Sequence, residues 1–172
     1  MPRLPQLTED DSGLLDETRR RLGRVPNLYA ALANGPAALG GYLAMRDRLA
    51  EGVLGPRLRE QLALLIAQEN DCTYCVSAHT LRGSKMGLGE KELLLTRDAA
   101  DADPHAEAVL LIAREVVRRR GRVGDAELAR ARAAGVSDAE LAEVVAHVAL
   151  NTLSNYFNHL AQPELDFPEV TA

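Results

Sequence analysis

The 172-residue chain has no tryptophan, four tyrosines, two phenylalanines and only two cysteines. β-Branched residues are scarce as well: 12 Val, 2 Ile and 7 Thr stand against 27 Ala and 28 Leu. Strand formers are few and helix formers abundant, which argues against a mainly β fold and against a large parallel sheet. Two cysteines cannot form a framework of disulfide staples, but 172 residues are enough to close a core without one. No apolar run approaches the roughly 18 residues that a membrane-spanning helix needs. The first residues, MPRLPQLTEDDSG, carry no apolar stretch of the signal-peptide type, so a cytoplasmic location is the expectation. Positive charge is in deficit, with 20 Lys and Arg against 25 Asp and Glu, and a net of −5 suits neither nucleic acid nor a membrane surface.

What is present is ordinary in amount and unusual in kind. Apolar residues make up 47% of the chain and charged residues 26%, which excludes wholesale disorder. Caps, prolines and glycines divide the sequence into helical segments. Thr8 is placed to cap a first helix running to about Leu22, and Asn27 to cap a short one reaching Ala33. Pro36 opens a third segment, ending near Glu51, and Gly55-Pro56 opens a fourth over 57–70. Its run Leu62-Ala63-Leu64-Leu65-Ile66-Ala67 is apolar all round, the mark of a buried helix. Asp71 is placed to cap a fifth over 72–86, and a short one follows over 90–97. Asp103-Pro104 and Asp125 start two more. Ser137 and Glu140 form a capping box for the last, which stops near Pro163 before an extended tail. No linker demands a second domain. The expectation is one all-α domain over 1–172, of about eight helices.

The chemistry concentrates between Glu60 and His79. Cys72 and Cys75 form a C-x-x-C pair, and His79 follows four residues after Cys75. At about 100° per residue, the two sulfurs and the imidazole fall within an arc of roughly 60° on one helix face. Cys75 and His79 are i, i+4 neighbours. Thiols in a helix's first turn meet unpaired N–H groups and the positive end of the helix dipole, and both favour thiolate. A tight antiparallel hairpin of 57–70 and 72–86 sets Glu60 level with His79. Glu60 also shares a stripe with Ala63, Leu64 and Ala67, and an apolar setting should raise its pKa. The expected order along the groove is Glu60, His79, Cys75, Cys72: a proton relay leading to a dithiol. Helix-end placement favours Cys72 as the attacking sulfur, whereas pairing with His79 favours Cys75, and an adjacent base is the better argument.

The residues Arg59-Glu60, Glu69-Asn70-Asp71-Cys72-Thr73-Tyr74-Cys75-Val76-Ser77-Ala78-His79 and Met86-Gly87-Leu88 resemble the carboxymuconolactone decarboxylase superfamily in its AhpD-like (alkylhydroperoxidase D) branch. The combination E-x11-C-x-x-C-x-x-x-H carries the likeness. Looser similarity runs through Gly23 to Asn27 and through the last helix into Asp166-Phe167-Pro168. The resemblance implies an all-helical fold, a homo-oligomer (trimer or hexamer) and thiol peroxidase or disulfide reductase chemistry. By motif position it makes Cys75 the peroxidatic thiol, Cys72 the resolving thiol, and Glu60 and His79 the relay. Where well-known members carry a second His between the cysteines, this chain has Tyr74.

The implied partners are a hydroperoxide and an external dithiol donor. No flavin or nicotinamide fingerprint is present, so no cofactor is expected. Tyr74, His147 and Asn151 are candidates for lining the site. His147, Asn151, Asn155 and His159 recur at spacings of four beside Asn158, a polar stripe that serves either a helix contact or the site. Met86 is expected in the core and His105 in solvent. Two alternatives stand beside the peroxidase reading. Cys72, Cys75, His79 and either Glu60 or His147 could hold zinc in a redox-sensing or docking module. A lyase on the same fold would not need the cysteines.

Overall fold

A helix that is apolar on every side has to be surrounded by other elements. The computed structural model describes residues 1–172 and consists of nine helices: α1 (Leu14–Leu22), α2 (Asn27–Leu32), α3 (Pro36–Ala50), α4 (Pro56–Glu69), α5 (Thr73–Lys85), α6 (Glu90–Arg97), α7 (Pro104–Arg119), α8 (Asp125–Ala133) and α9 (Asp138–Ala161). The all-α expectation holds, with nine helices in place of about eight. The apolar α4 packs against α5, α6, α7 and α9. Its Leu64 and Ala67 join a core with Leu28, Leu32, Leu39 and Val76. Its Leu62, Leu65 and Ile66 join a second core with Val109, Leu110, Ile112 and Val144. One helix thus seals two cores. No helix is long and apolar enough to cross a membrane.

Several ends follow the sequence signals. Ser137 and Glu140 make the reciprocal capping box at the start of α9. Asp103 accepts the His105 N–H at the start of α7. Three expectations change. Helix α1 begins at Leu14, not after Thr8, because the Asp10 carboxylate accepts the N–H groups of Leu14 and Leu15 at 3.2 and 2.9 Å. Asn27 lies inside α2 and spends its side-chain amide on the Glu164 carbonyl instead of capping. Asp71 adopts a left-handed conformation (φ 52°), and Cys72 becomes the N-cap of α5. Two side chains also sit elsewhere than expected. Met86 ends α5 and is exposed, and His105 meets Glu140 at 3.0 Å instead of facing only water.

The last residues, 162–172, form a strap without helix. Ser77 on α5 accepts the Val170 N–H at 2.8 Å, and Arg97 on α6 donates to the Thr171 carbonyl at 2.7 Å. The strap therefore lies against the helix that carries the cysteines.

Candidate active site

The turn between α4 and α5 delivers the first sulfur. Cys72 N–H reaches back to the Ala67 carbonyl at 2.9 Å. At the N-cap, the Cys72 sulfur accepts the Cys75 N–H at 3.3 Å. Helix α9 anchors this turn through Asn70. The Asn70 amide donates to Asn155 Oδ1 at 2.9 Å, and His159 Nε2 lies 2.7 Å from the Asn70 carbonyl. Cys72 and Cys75 are joined as a disulfide, with their Cα atoms 5.3 Å apart, inside the usual range for such a bond. The sulfur-bearing residues are 2 and 4% exposed. Asn158 on α9 donates its amide to Cys75 Sγ at 3.1 Å.

The antiparallel α4–α5 hairpin brings Glu60 Oε1 to 2.7 Å from His79 Nδ1. Arg82, one turn further along α5, reaches the other carboxylate oxygen at 3.2 Å. Glu60 is buried, so the carboxylate sits where charge is costly without partners. Burial alone would raise its pKa, as the sequence suggests. Instead the neighbouring His79 and Arg82 charges and the His79 hydrogen bond outweigh burial and hold the carboxyl below its ordinary value. Glu60 is therefore an ionised carboxylate at neutral pH, fit to orient and polarise an imidazole.

These groups open on a cavity of about 720 Å³ between α2, α3, α4, α5 and α9, a volume suited to a small organic ligand. Cys75, Glu60, His79, Tyr74, His147 and Asn151 all line it. Cys72 does not, and lies behind Cys75. Tyr74 points its phenol away from acid–base work: it donates to Asp166 Oδ1 at 2.6 Å and accepts the Leu28 N–H at 3.1 Å. Burial and the Asp166 carboxylate push its pKa far up, so the phenol stays neutral. Phe167 packs edge-on against the Tyr74 ring, and Arg24 stacks over Phe167 while pairing with Asp166. His147 is buried in the cavity wall, where desolvation and then the Arg59 charge lower its pKa against the opposing pull of Glu143. It stands there as a neutral imidazole.

The polar stripe of α9 thus divides by function of place. Asn155 and His159 hold the α4–α5 turn, Asn158 touches sulfur, and His147 and Asn151 face the cavity. Sequence reading passed over Arg82 and gave no role to Asn70 or Asp166, although both lie in the segments that resemble the family. Arg82 could have been found, being three residues after His79 on the same face. Asp166 lies 92 residues from Tyr74 on the strap, and no local pattern announces that pairing. With the sulfurs bonded to each other, no group of three or more His, Cys, Asp or Glu side chains is arranged to hold a metal ion, so the zinc alternative has no assembled ligand set in this structure.

Residues 36–115, which contain α3 to α6 and both cysteines, match the family model described as the carboxymuconolactone decarboxylase family. An uncharacterized peroxidase-related protein from Ralstonia eutropha JMP134, described as an alkylhydroperoxidase AhpD core, superposes with a TM-score of 0.82 at 26% identity, covering 96% of this chain and 92% of that one. By this match and this likeness the chain is similar to the carboxymuconolactone decarboxylase family and has the AhpD-like fold. An uncharacterized peroxidase-related protein from Silicibacter sp. TM1040 shares the AhpD-like fold, with a TM-score of 0.82, 20% identity, and coverage of 95% of this chain and 91% of that one. The fold does not by itself name a reaction. The debrominase Bmp8, in complex with 2,3,4-tribromopyrrole, has it too, with a TM-score of 0.79 at 13% identity over 96% of this chain and 93% of that one. No curated protein matches this AhpD-like chain by sequence.

Proposed function

We propose that the protein is a thiol-dependent peroxidase or disulfide reductase that works through the Cys72/Cys75 pair. The observation that carries this reading is the shared cavity: an ionised Glu60 bound to His79 stands in the same wall as Cys75, with Cys72 bonded directly behind it. The match of residues 36–115 to the carboxymuconolactone decarboxylase family and the fold shared with a peroxidase-related protein support an enzymatic role.

In the reduced enzyme, His79 takes the Cys75 proton while Glu60 holds the ring and stabilises the imidazolium. The thiolate attacks the outer oxygen of a hydroperoxide. An S–O bond forms, the O–O bond breaks, and the leaving alkoxide takes the proton from His79 to depart as an alcohol. Cys75 is left as a sulfenic acid. Cys72 displaces the hydroxyl as water and closes the disulfide. An external dithiol then reduces the pair by exchange. Cys75 is the accessible end of the pair because it alone of the two lines the cavity.

Homo-oligomer formation belongs to the same reading. Leu153, Tyr156 and Leu160 share one face of α9 and are 43, 60 and 62% exposed, a stripe suited to a second copy of the chain. A cytoplasmic setting, where a dithiol donor is available, fits this chemistry.

The test is to reduce the protein, add one equivalent of an alkyl hydroperoxide and map the thiols by alkylation and mass spectrometry. Both thiols should disappear together into a Cys72–Cys75 disulfide. Retention of both free thiols after peroxide addition refutes the proposal.

A further inference from the structure

Each sulfur of the pair has its own hydrogen-bond donor, and the two donors differ in kind. Cys72 Sγ takes a backbone N–H at its own helix start. Cys75 Sγ takes a side chain from another helix: Asn158 Nδ2 stands 3.1 Å from it and 3.9 Å from Cys72 Sγ. Asn158 is the one side chain that hydrogen-bonds either sulfur. It is 5% exposed, and its Oδ1 is buried without a partner.

That arrangement is poor for stability. A buried amide with an unpaired oxygen costs free energy that an apolar side chain at the same helix contact would not. The gain lies at the sulfur. A disulfide or thiol sulfur is a weak acceptor, whereas a thiolate carries a full negative charge, and hydrogen bonds to charged groups are roughly twice as strong as neutral ones. The contact therefore strengthens when Cys75 ionises. The other charged side chains that line the cavity are the carboxylates of Glu60 and Asp47 and the cations of Arg21, Arg24, Arg46, Arg59, Arg82 and Lys85, with the imidazoles of His79 and His147 beside them. None of these side chains hydrogen-bonds a sulfur.

We infer that Asn158 is a catalytic residue of this site: its amide N–H holds the Cys75 sulfur and stabilises it as the attacking thiolate. The inference builds on the dithiol reading above, but its test does not require peroxide turnover. His79 removes the proton from one side, and Asn158 receives the developing negative charge from α9. The α9 stripe thus both fixes the turn that carries Cys72 and activates Cys75.

The experiment uses two single-cysteine proteins, Cys72→Ser and Cys75→Ser, each alone and combined with Asn158→Ala or with the isosteric Asn158→Asp. The readout is the rate of alkylation by iodoacetamide at neutral pH, with helicity followed by circular dichroism. Loss of a charge-assisted hydrogen bond should slow alkylation of Cys75 by about tenfold or more. Asn158→Asp, which exchanges the donor for an acceptor without changing shape, should slow it at least as much. Cys72 should be little affected, because its donor is the backbone. Unchanged Cys75 rates in the folded Asn158→Asp protein, or equal slowing at both cysteines, would overturn the assignment.

Discussion

Glu60 and His79 lie on antiparallel helices 19 residues apart in sequence, and their side chains meet at 2.7 Å. With Arg82 on the second oxygen, the contact keeps a buried acid ionised at neutral pH. Glu60→Gln should therefore reduce peroxide turnover by about 10²-fold or more, the usual scale for losing a proton relay, while Cys72 and Cys75 still form a disulfide under strong oxidant. The substitution also tests the linkage. A carboxyl whose folded pKa lies below its unfolded value of 4.5 stabilises the protein above that value, and the contribution is lost as the pH falls through the lowered folded pKa. Acid unfolding followed by circular dichroism should show this loss in the wild-type chain and a shallower dependence in Glu60→Gln.

Much of this site is legible in the sequence because it rests on local geometry. Helix periodicity alone places Cys72, Cys75 and His79 together, and one counted hairpin adds Glu60. What the sequence hides are terms set by distant neighbours. The direction of the Glu60 shift depends on Arg82 and on direct contact with His79, both of which follow only from the packed register of α4 and α5. The neutrality of Tyr74 depends on Asp166, delivered by the terminal strap. Helix starts fail for a related reason. Asp10 outcompetes Thr8, and Cys72 takes the cap from Asp71, because the chain conformation between elements decides which side chain can reach the free N–H groups.

His147 makes a second pH prediction of its own. Its pKa is lowered in the fold, so between that value and the ordinary 6.5 the unfolded chain binds a proton that the folded chain refuses. Stability should fall as the pH drops below about 6.5 and level off beneath the folded pKa. A thermal-melt series across this range should show the slope in the wild type, and His147→Gln should flatten it.

Tyr74 stands between the two cysteines but is tied to the strap. Tyr74→Phe removes the hydroxyl that joins Leu28 and Asp166 and leaves the Leu28 N–H unpaired. The expected cost is about 1–3 kcal/mol in denaturant unfolding, with Cys75 alkylation close to wild type. A much larger loss of Cys75 reactivity than of stability would assign the phenol a direct part in the chemistry.

The exposed face of α9 should mediate self-association. Leu160→Glu or Tyr156→Glu places charge in the apolar stripe with Leu153 and should lower the mass measured by light scattering, with helicity unchanged. An unaltered mass in both variants would remove this face from any interface.

The central claim, that Cys75 performs the attack from a cavity it shares with the Glu60–His79 pair, is tested most directly by steady-state hydroperoxide consumption. The wild-type protein and Cys75→Ser are compared with a small-molecule dithiol as donor. The account predicts turnover in the wild type and background consumption in Cys75→Ser. Wild-type rates in Cys75→Ser would contradict it.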